Sequence, residues 1–298
     1  MYKFFFFIIF ILSIYSCSKN GINNSGKNNI IIPNKKIEKI ISLSPGVTDI
    51  LIDLNVANKI IAADTFSKDI LKRNNIDVSN IFIFDMLNPD AEKIISLNSD
   101  VVFINNLTAF YTKNSILSLS NLTIITITNS ETLKKIEDDI YFLGNVLNAS
   151  EKAKEIVYNM RTKIKEIKDI GDTITNKKTV YFEISSLPNL YSFGSNVYLD
   201  DIINIIGAKN IFSNRNEWIS VSEEEVVYLN PDIIFTSVDY IDNPVAEIQN
   251  RAAWKDINAV KTSKVFFVEG TSLPTHNIVS SILLMAKYIY PEEYKDIK

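Results

Sequence analysis

Residues 88–103 read NPDAEKIISLNSDVVF, and residues 220–235 read SVSEEEVVYLNPDIIF. From Glu92 and Glu224 onward the two stretches run in step. Past Lys93 or Glu225 come two β-branched apolar residues, then a variable position and Leu-Asn. A second variable position, an Asp, a β-branched pair and a Phe complete the phrase. The first part has helical character with an acid near its start. The second is a continuous apolar run of the kind a strand buried on both faces requires. A helix–strand unit that occurs twice, far apart in the chain, predicts two similar halves.

Outward from the first copy, KIEKIISLS (36–44) is a β-branched run ending in Ser-Pro, hence a strand feeding a turn. PGVTDILIDLN carries Val47, Ile50, Leu51 and Leu54 at helical spacing. KIIAAD, DVVFI and LTIITIT (122–128) are further strands. Strand and helix alternate, which predicts a parallel sheet with helices on its faces. Two amphipathic helices are expected next, over 130–148 and 150–168. The second carries one stripe from Ala153 to Ile167 and Ser150 at its start. The pattern then restarts around the second copy. KTVYFEIS, PDIIFTS and KVFFVE are strands, and SNVYLDDIINIIGAKNIF, SEEEVVYL and NIVSSILLMAKYIYP are helices. The fold class is therefore α/β: two Rossmann-like lobes with mostly parallel sheets, joined by one long α-helix. The expected lobes are 36–148 and 171–298, with the connecting helix at 149–170.

The N-terminus has its own logic. One Lys precedes an apolar run from Phe4 to Leu12, too short to span a bilayer but suited to a secretory signal over residues 1–16. Cys17 is the single cysteine, so no intramolecular disulfide can form. Its place after that run resembles the acylated cysteine of a bacterial lipoprotein signal. Ile14 and Ser16 fit this pattern, and Tyr15 is bulkier than usual in it. Residues 17–35, rich in Asn, Gly, Ser and Lys, form the expected flexible tether. The chain is thus expected to be lipid-anchored at the cell membrane, facing the periplasm or the exterior.

Composition excludes several classes. A net charge of −4 with interspersed signs argues against a nucleic-acid partner. No phosphate loop, dinucleotide fingerprint or nucleophile elbow occurs. The single histidine, His276, cannot build a multi-imidazole metal site. A binding protein without enzymatic activity, resident metal or cofactor is the expectation.

KIISLSPGVTDILIDLNVANKIIAAD, both copies of the repeat, the 150–168 helix, GSNVYLDDIINIIGAKNIF and WKDINAVKTSKVFFVE occur in an order that resembles one family. This family comprises the substrate-binding proteins of ABC importers for iron–siderophore, haem and cobalamin. The resemblance covers nearly all of residues 36–295. It implies a ligand held between the lobes and delivery to a permease dimer driven by an ATPase. It also implies one docking acid per lobe facing permease arginines: Glu92 and Glu224, with Glu223 and Glu225 flanking the latter. The cleft loops would contribute Phe66, Met86, Tyr111, Tyr191, Arg215, Trp218 and His276. An aromatic wall of Phe66, Tyr111, Tyr191 and Trp218 suits a flat ligand, although a packing role for Trp218 stands beside it. Arg215 is the lone arginine in a cleft loop, which favours cobalamin or a hydroxamate chelate over an anionic catecholate. Alternatively, Met86 and His276 from opposite lobes are the axial pair of a haem receptor, or Met86 is apolar filler and His276 a surface residue. An anchored sensor without transport is the remaining alternative.

Overall fold

A computed structural model describes residues 36–86, 88–106, 122–127, 132–269, 275 and 277–298. In the first half, β1 (Ile40–Leu43), β2 (Ile60–Asp64), β3 (Phe82–Phe84), β4 (Val101–Ile104) and β5 (Ile124–Thr126) form one sheet. Its order is β3-β2-β1-β4-β5, and every neighbouring pair is parallel. The second half contributes β6 (Thr179–Glu183), β7 (Tyr191–Phe193), β8 (Lys209–Asn210), β9 (Trp218–Ser220), β10 (Ile233–Thr236) and β11 (Val265–Phe267). There β11-β10-β6-β8 form a second parallel sheet, while β7 and β9 pair antiparallel as a separate ribbon. Around each half's first strand the order is the same: β2-β1-β4-β5 corresponds to β8-β6-β10-β11.

The repeated phrase is repeated structure. Asp90 caps the helix Ala91–Ser96 and Ser222 caps Glu223–Leu229, each side chain accepting the backbone N–H three residues on. Asn98 and Asn230 occupy the left-handed region, at φ 48° and 45°, where asparagine is tolerated and the helix ends. Asp100 Oδ2 accepts from the amides of Glu38 and Lys39 at 2.8 and 2.9 Å, tying β4 to the start of β1. Asp232 Oδ2 accepts from Thr179 N and Oγ1, both at 3.0 Å, and ties β10 to β6. Each phrase thus encodes cap, helix stop and strand clamp. The strands that follow are buried along their whole length.

The connecting helix runs Ser150–Gly171, about 33 Å long at 1.5 Å per residue. It is fastened at its middle and at its C-terminal end. Towards the first lobe, Arg161 grips Glu137 of the helix Leu133–Val146 through two bonds of 2.8 and 2.6 Å. Towards the second, Gly171 lies against the end of the helix Tyr198–Ile205, where a Cβ would sit 2.2 Å from the Ile205 carbonyl oxygen. Facing it, Gly207 adopts φ +82°, open to glycine without strain. Tyr294 OH donates to the Ile206 carbonyl at 2.8 Å and lies 3.2 Å from that of Ile167, bridging the same joint. The last helix, Ile278–Ile289, packs on the connecting helix.

Several elements go beyond the sequence reading. TFSKDILKR forms a helix, Thr65–Arg73, which the periodicity argument passed over, and FIF at 82–84 is an edge strand. Trp218, read as a loop residue, opens β9 instead. Its partner strand lies about 27 positions earlier, so local pattern gave no cue.

Candidate functional site

The candidate loops follow the carboxyl ends of the strands, where open α/β sheets place their ligands. Ser44 follows β1 and occupies the N-cap position of the helix Pro45–Asp53. Asp64 ends β2 and caps Thr65–Arg73, accepting from the amides of Phe66 and Ser67 at 2.9 Å. Its other oxygen takes the Ser67 hydroxyl at 2.6 Å, and a buried chain continues through Thr48 to Ser42. Burial pushes the Asp64 carboxyl above its ordinary value, and the bonds from Ser67 and Phe66 pull part of that back. The network fixes Phe66 at the start of its helix with its ring largely exposed. Met86 is half-buried just past β3.

The β7–β9 ribbon carries the aromatic part. Tyr191 lies opposite Ser220 and Phe193 opposite Trp218, so these four side chains share one face. Phe193 is buried, while Tyr191 and Trp218 are 38% and 39% exposed. Trp218 packs edge-on against Phe193 and Tyr198, at centroid distances of 6.0 and 6.3 Å. One flank of its indole is therefore fixed and the other open. The ribbon is rigid at its far end, where Gly194 lies so close to Arg215 that a Cβ would be 2.2 Å from the Arg215 oxygen.

Arg215 itself is engaged. Nη1 meets Glu225 at 3.2 Å, Nη2 donates to the Ser220 carbonyl at 3.1 Å, and the guanidinium lies 5.6 Å from the Phe212 ring centre. It braces β9 against the helix Glu223–Leu229. The structure thus brings Tyr191 and Trp218 onto one ribbon with Arg215 at its end, and places Phe66 and Met86 in the other lobe. Tyr111, His276 and Cys17 lie outside the described residues.

Sequence reasoning missed the buried network beneath this ribbon. Arg251, its side chain 4% exposed, binds Glu183 at 2.7 and 2.9 Å and Glu247 at 2.9 Å. It also donates to Ser186 Oγ at 2.9 Å and lies 4.2 Å over the Trp254 ring. Tyr240 OH accepts the Ser186 amide at 2.9 Å. These contacts hold the turn between β6 and Tyr191. The i,i+4 spacing of Glu247 and Arg251 was the available signal. Burial raises the Glu183 carboxyl, and the bonds and charge of Arg251 oppose the rise.

The two lobes meet beside the candidate loops. Asn277 Nδ2 donates to Asp49 Oδ2 at 2.8 Å, Arg73 pairs with Glu269 at 2.9 Å, and a Cβ on Gly46 would touch Thr275 at 3.7 Å. A separate groove of about 370 Å³, lined by Asp53, Lys152, Met160 and Asn277 among others, shares none of the candidate ligand residues. Glu92 and Glu224 are both exposed. Glu224's own amide and the Ser222 hydroxyl hold its carboxyl below the usual range.

A family model described as periplasmic binding protein matches residues 40–270. The chain belongs to the periplasmic binding protein family. A relative from Bacillus subtilis, the uncharacterized ABC transporter substrate-binding lipoprotein YvrC, is 27% identical over 92% of this chain and 86% of its own length. The vitamin B12-binding protein of Vibrio parahaemolyticus is 23% identical over 88% and 92%. Among solved structures, a possible iron-binding periplasmic solute-binding protein from Staphylococcus epidermidis superposes with a TM-score of 0.74 at 24% identity. It covers 86% of this chain and 100% of that one. The family binds solutes, so the protein is one of capture and not of catalysis, and an ABC permease with its ATPase is the implied partner.

Proposed function

We propose that this chain captures a bulky ligand of low net charge, a cobalamin-like corrinoid or a ferric hydroxamate, between its lobes and delivers it to an ABC import permease. The observation that carries the ligand class is the β7–β9 ribbon. It offers two half-exposed rings, Tyr191 and Trp218, while its one guanidinium, Arg215, is taken by Glu225 and the Ser220 carbonyl. A catecholate chelate of high negative charge needs free cationic donors, whereas an apolar macrocycle needs a flat, partly desolvated wall. The relative named for vitamin B12 agrees with this reading. Residues 1–16 act as a signal, Cys17 carries the lipid and 17–35 is the tether, as the lipoprotein name of YvrC supports. Glu92 and Glu224, exposed at matching places in the repeat, serve as the docking acids.

Tryptophan fluorescence tests the ligand class directly. The chain has two tryptophans, and Trp254 is fully buried. Cyanocobalamin or a ferric hydroxamate should raise the melting temperature and quench the emission saturably, and Trp218→Ala should remove the quench. Stabilisation by a ferric catecholate alone, or by none of these ligands, overturns the assignment. A haemin Soret shift lost in His276→Ala would replace it with the Met86–His276 haem reading.

A further inference from the structure

The helix Glu223–Leu229 has an unusual outer face. Val226 is buried beneath it, so Glu224, Val227 and Tyr228, at i, i+3 and i+4, point away from the core. Tyr228 is 86% exposed, and Val227 and Leu229 are exposed beside it. Helical side chains lean towards the N-terminus, so the Tyr228 phenol lies over the turn that bears Glu224. The helix has no freedom to turn this face inward. Ser222 and Glu225 close a capping box, Glu225 is held by Arg215 at 3.2 Å, and Asn230 ends the helix at φ 45°. The first lobe repeats the acid and not the apolar surface. There Ile95 is half-buried, and Ser96 stands where the second lobe has Tyr228.

Three adjacent exposed apolar side chains beside a carboxylate suit a protein partner, and tyrosine is among the residues that most often anchor one. Glu223 and Glu224, beside a Glu225 already paired with Arg215, leave the face acidic, which disfavours the anionic headgroups of a membrane surface as the natural occupant. The partner this face fits presents a cation for Glu224 and an apolar socket next to it. We infer that Tyr228 and Val227 form an apolar anchor seating the second lobe on one permease subunit, so that docking is paired in charge and one-sided in apolar contact. This rests on the docking role proposed for Glu224.

The test uses the full anchored chain in native membranes, with photo-reactive benzoylphenylalanine replacing Tyr228 or, separately, Ser96. The expected result is an adduct from position 228 to an ABC permease subunit, identified by mass spectrometry and lost when Glu224→Lys is added. Tyr228→Ser, which copies the first lobe, should weaken binding to that permease by about tenfold or more without changing the melting temperature. An adduct from position 96 alone refutes the anchor and leaves the docking acids standing. No permease adduct from either position refutes both. Adducts from 228 to a second copy, to lipid or to an unrelated protein also overturn the inference.

Discussion

Replacing Arg251 by Met should be among the most damaging single changes in the second lobe, and its cost should depend on pH in a calculable way. Methionine keeps the packing volume over Trp254 but removes the cation. Glu183, its side chain 1% exposed, then loses the cation paired with it among the described residues. A buried carboxylate in that position neutralises rather than remain charged. Protonating a carboxyl of ordinary value 4.5 at pH 7 costs about 3.4 kcal/mol, at 1.36 kcal/mol per pH unit. That agrees with the roughly 3–5 kcal/mol found when one partner of a buried pair is removed. At pH 5.5 the same step costs only about 1.4 kcal/mol. The loss of stability should therefore shrink by at most about 2 kcal/mol between pH 7 and 5.5, the parent's own raised Glu183 taking up part of the difference. Urea unfolding followed by circular dichroism at the two pH values measures it. The double variant Glu183→Gln/Arg251→Met should recover much of the loss at pH 7, because the fully buried charge is gone and the Glu247 left behind is part-exposed to water. A cost below about 1 kcal/mol at pH 7, or one that does not vary with pH, refutes the argument.

Other expectations follow from the same geometry. Gly171→Ala forces a methyl into the Ile205 carbonyl and should cost about 1–3 kcal/mol, seen as a melting temperature lower by several degrees; an unchanged melt would show that the joint yields. Asp64 has its carboxyl raised by burial from an ordinary 3.8, so its contribution is fully present below that value and is lost as pH rises through the raised one. Asp64→Asn escapes that loss, and its melting temperature relative to the parent should climb between pH 4 and pH 7; a flat difference would contradict the assignment. Charge reversal at both Glu92 and Glu224 should abolish ligand uptake by cells and leave cyanocobalamin affinity within about twofold, since surface charges are well screened at physiological salt. Collapse of that affinity would make these acids ligand contacts instead.

The chain's local chemistry determined most of the fold. The phrase that opens at Glu92 and again at Glu224 contains a cap, a left-handed Asn and a strand-clamping Asp, all short-range devices that a linear pattern can carry. The connecting helix declared itself by its apolar stripe, ending at Gly171 instead of Lys168. The helix Thr65–Arg73 was less legible, although Asp64 before it and Ser67 in its first turn spell an N-cap. What tertiary structure alone decided is which groups meet. Tyr191 and Trp218 share a face because two three-residue strands pair across an intervening helix, and Arg215 is spent on Glu225. Arg251 reaches Glu183 across 68 positions of sequence. Such pairings are set by packing of the whole lobe, whose energy depends on which surfaces touch and not on the order of residues along any one segment.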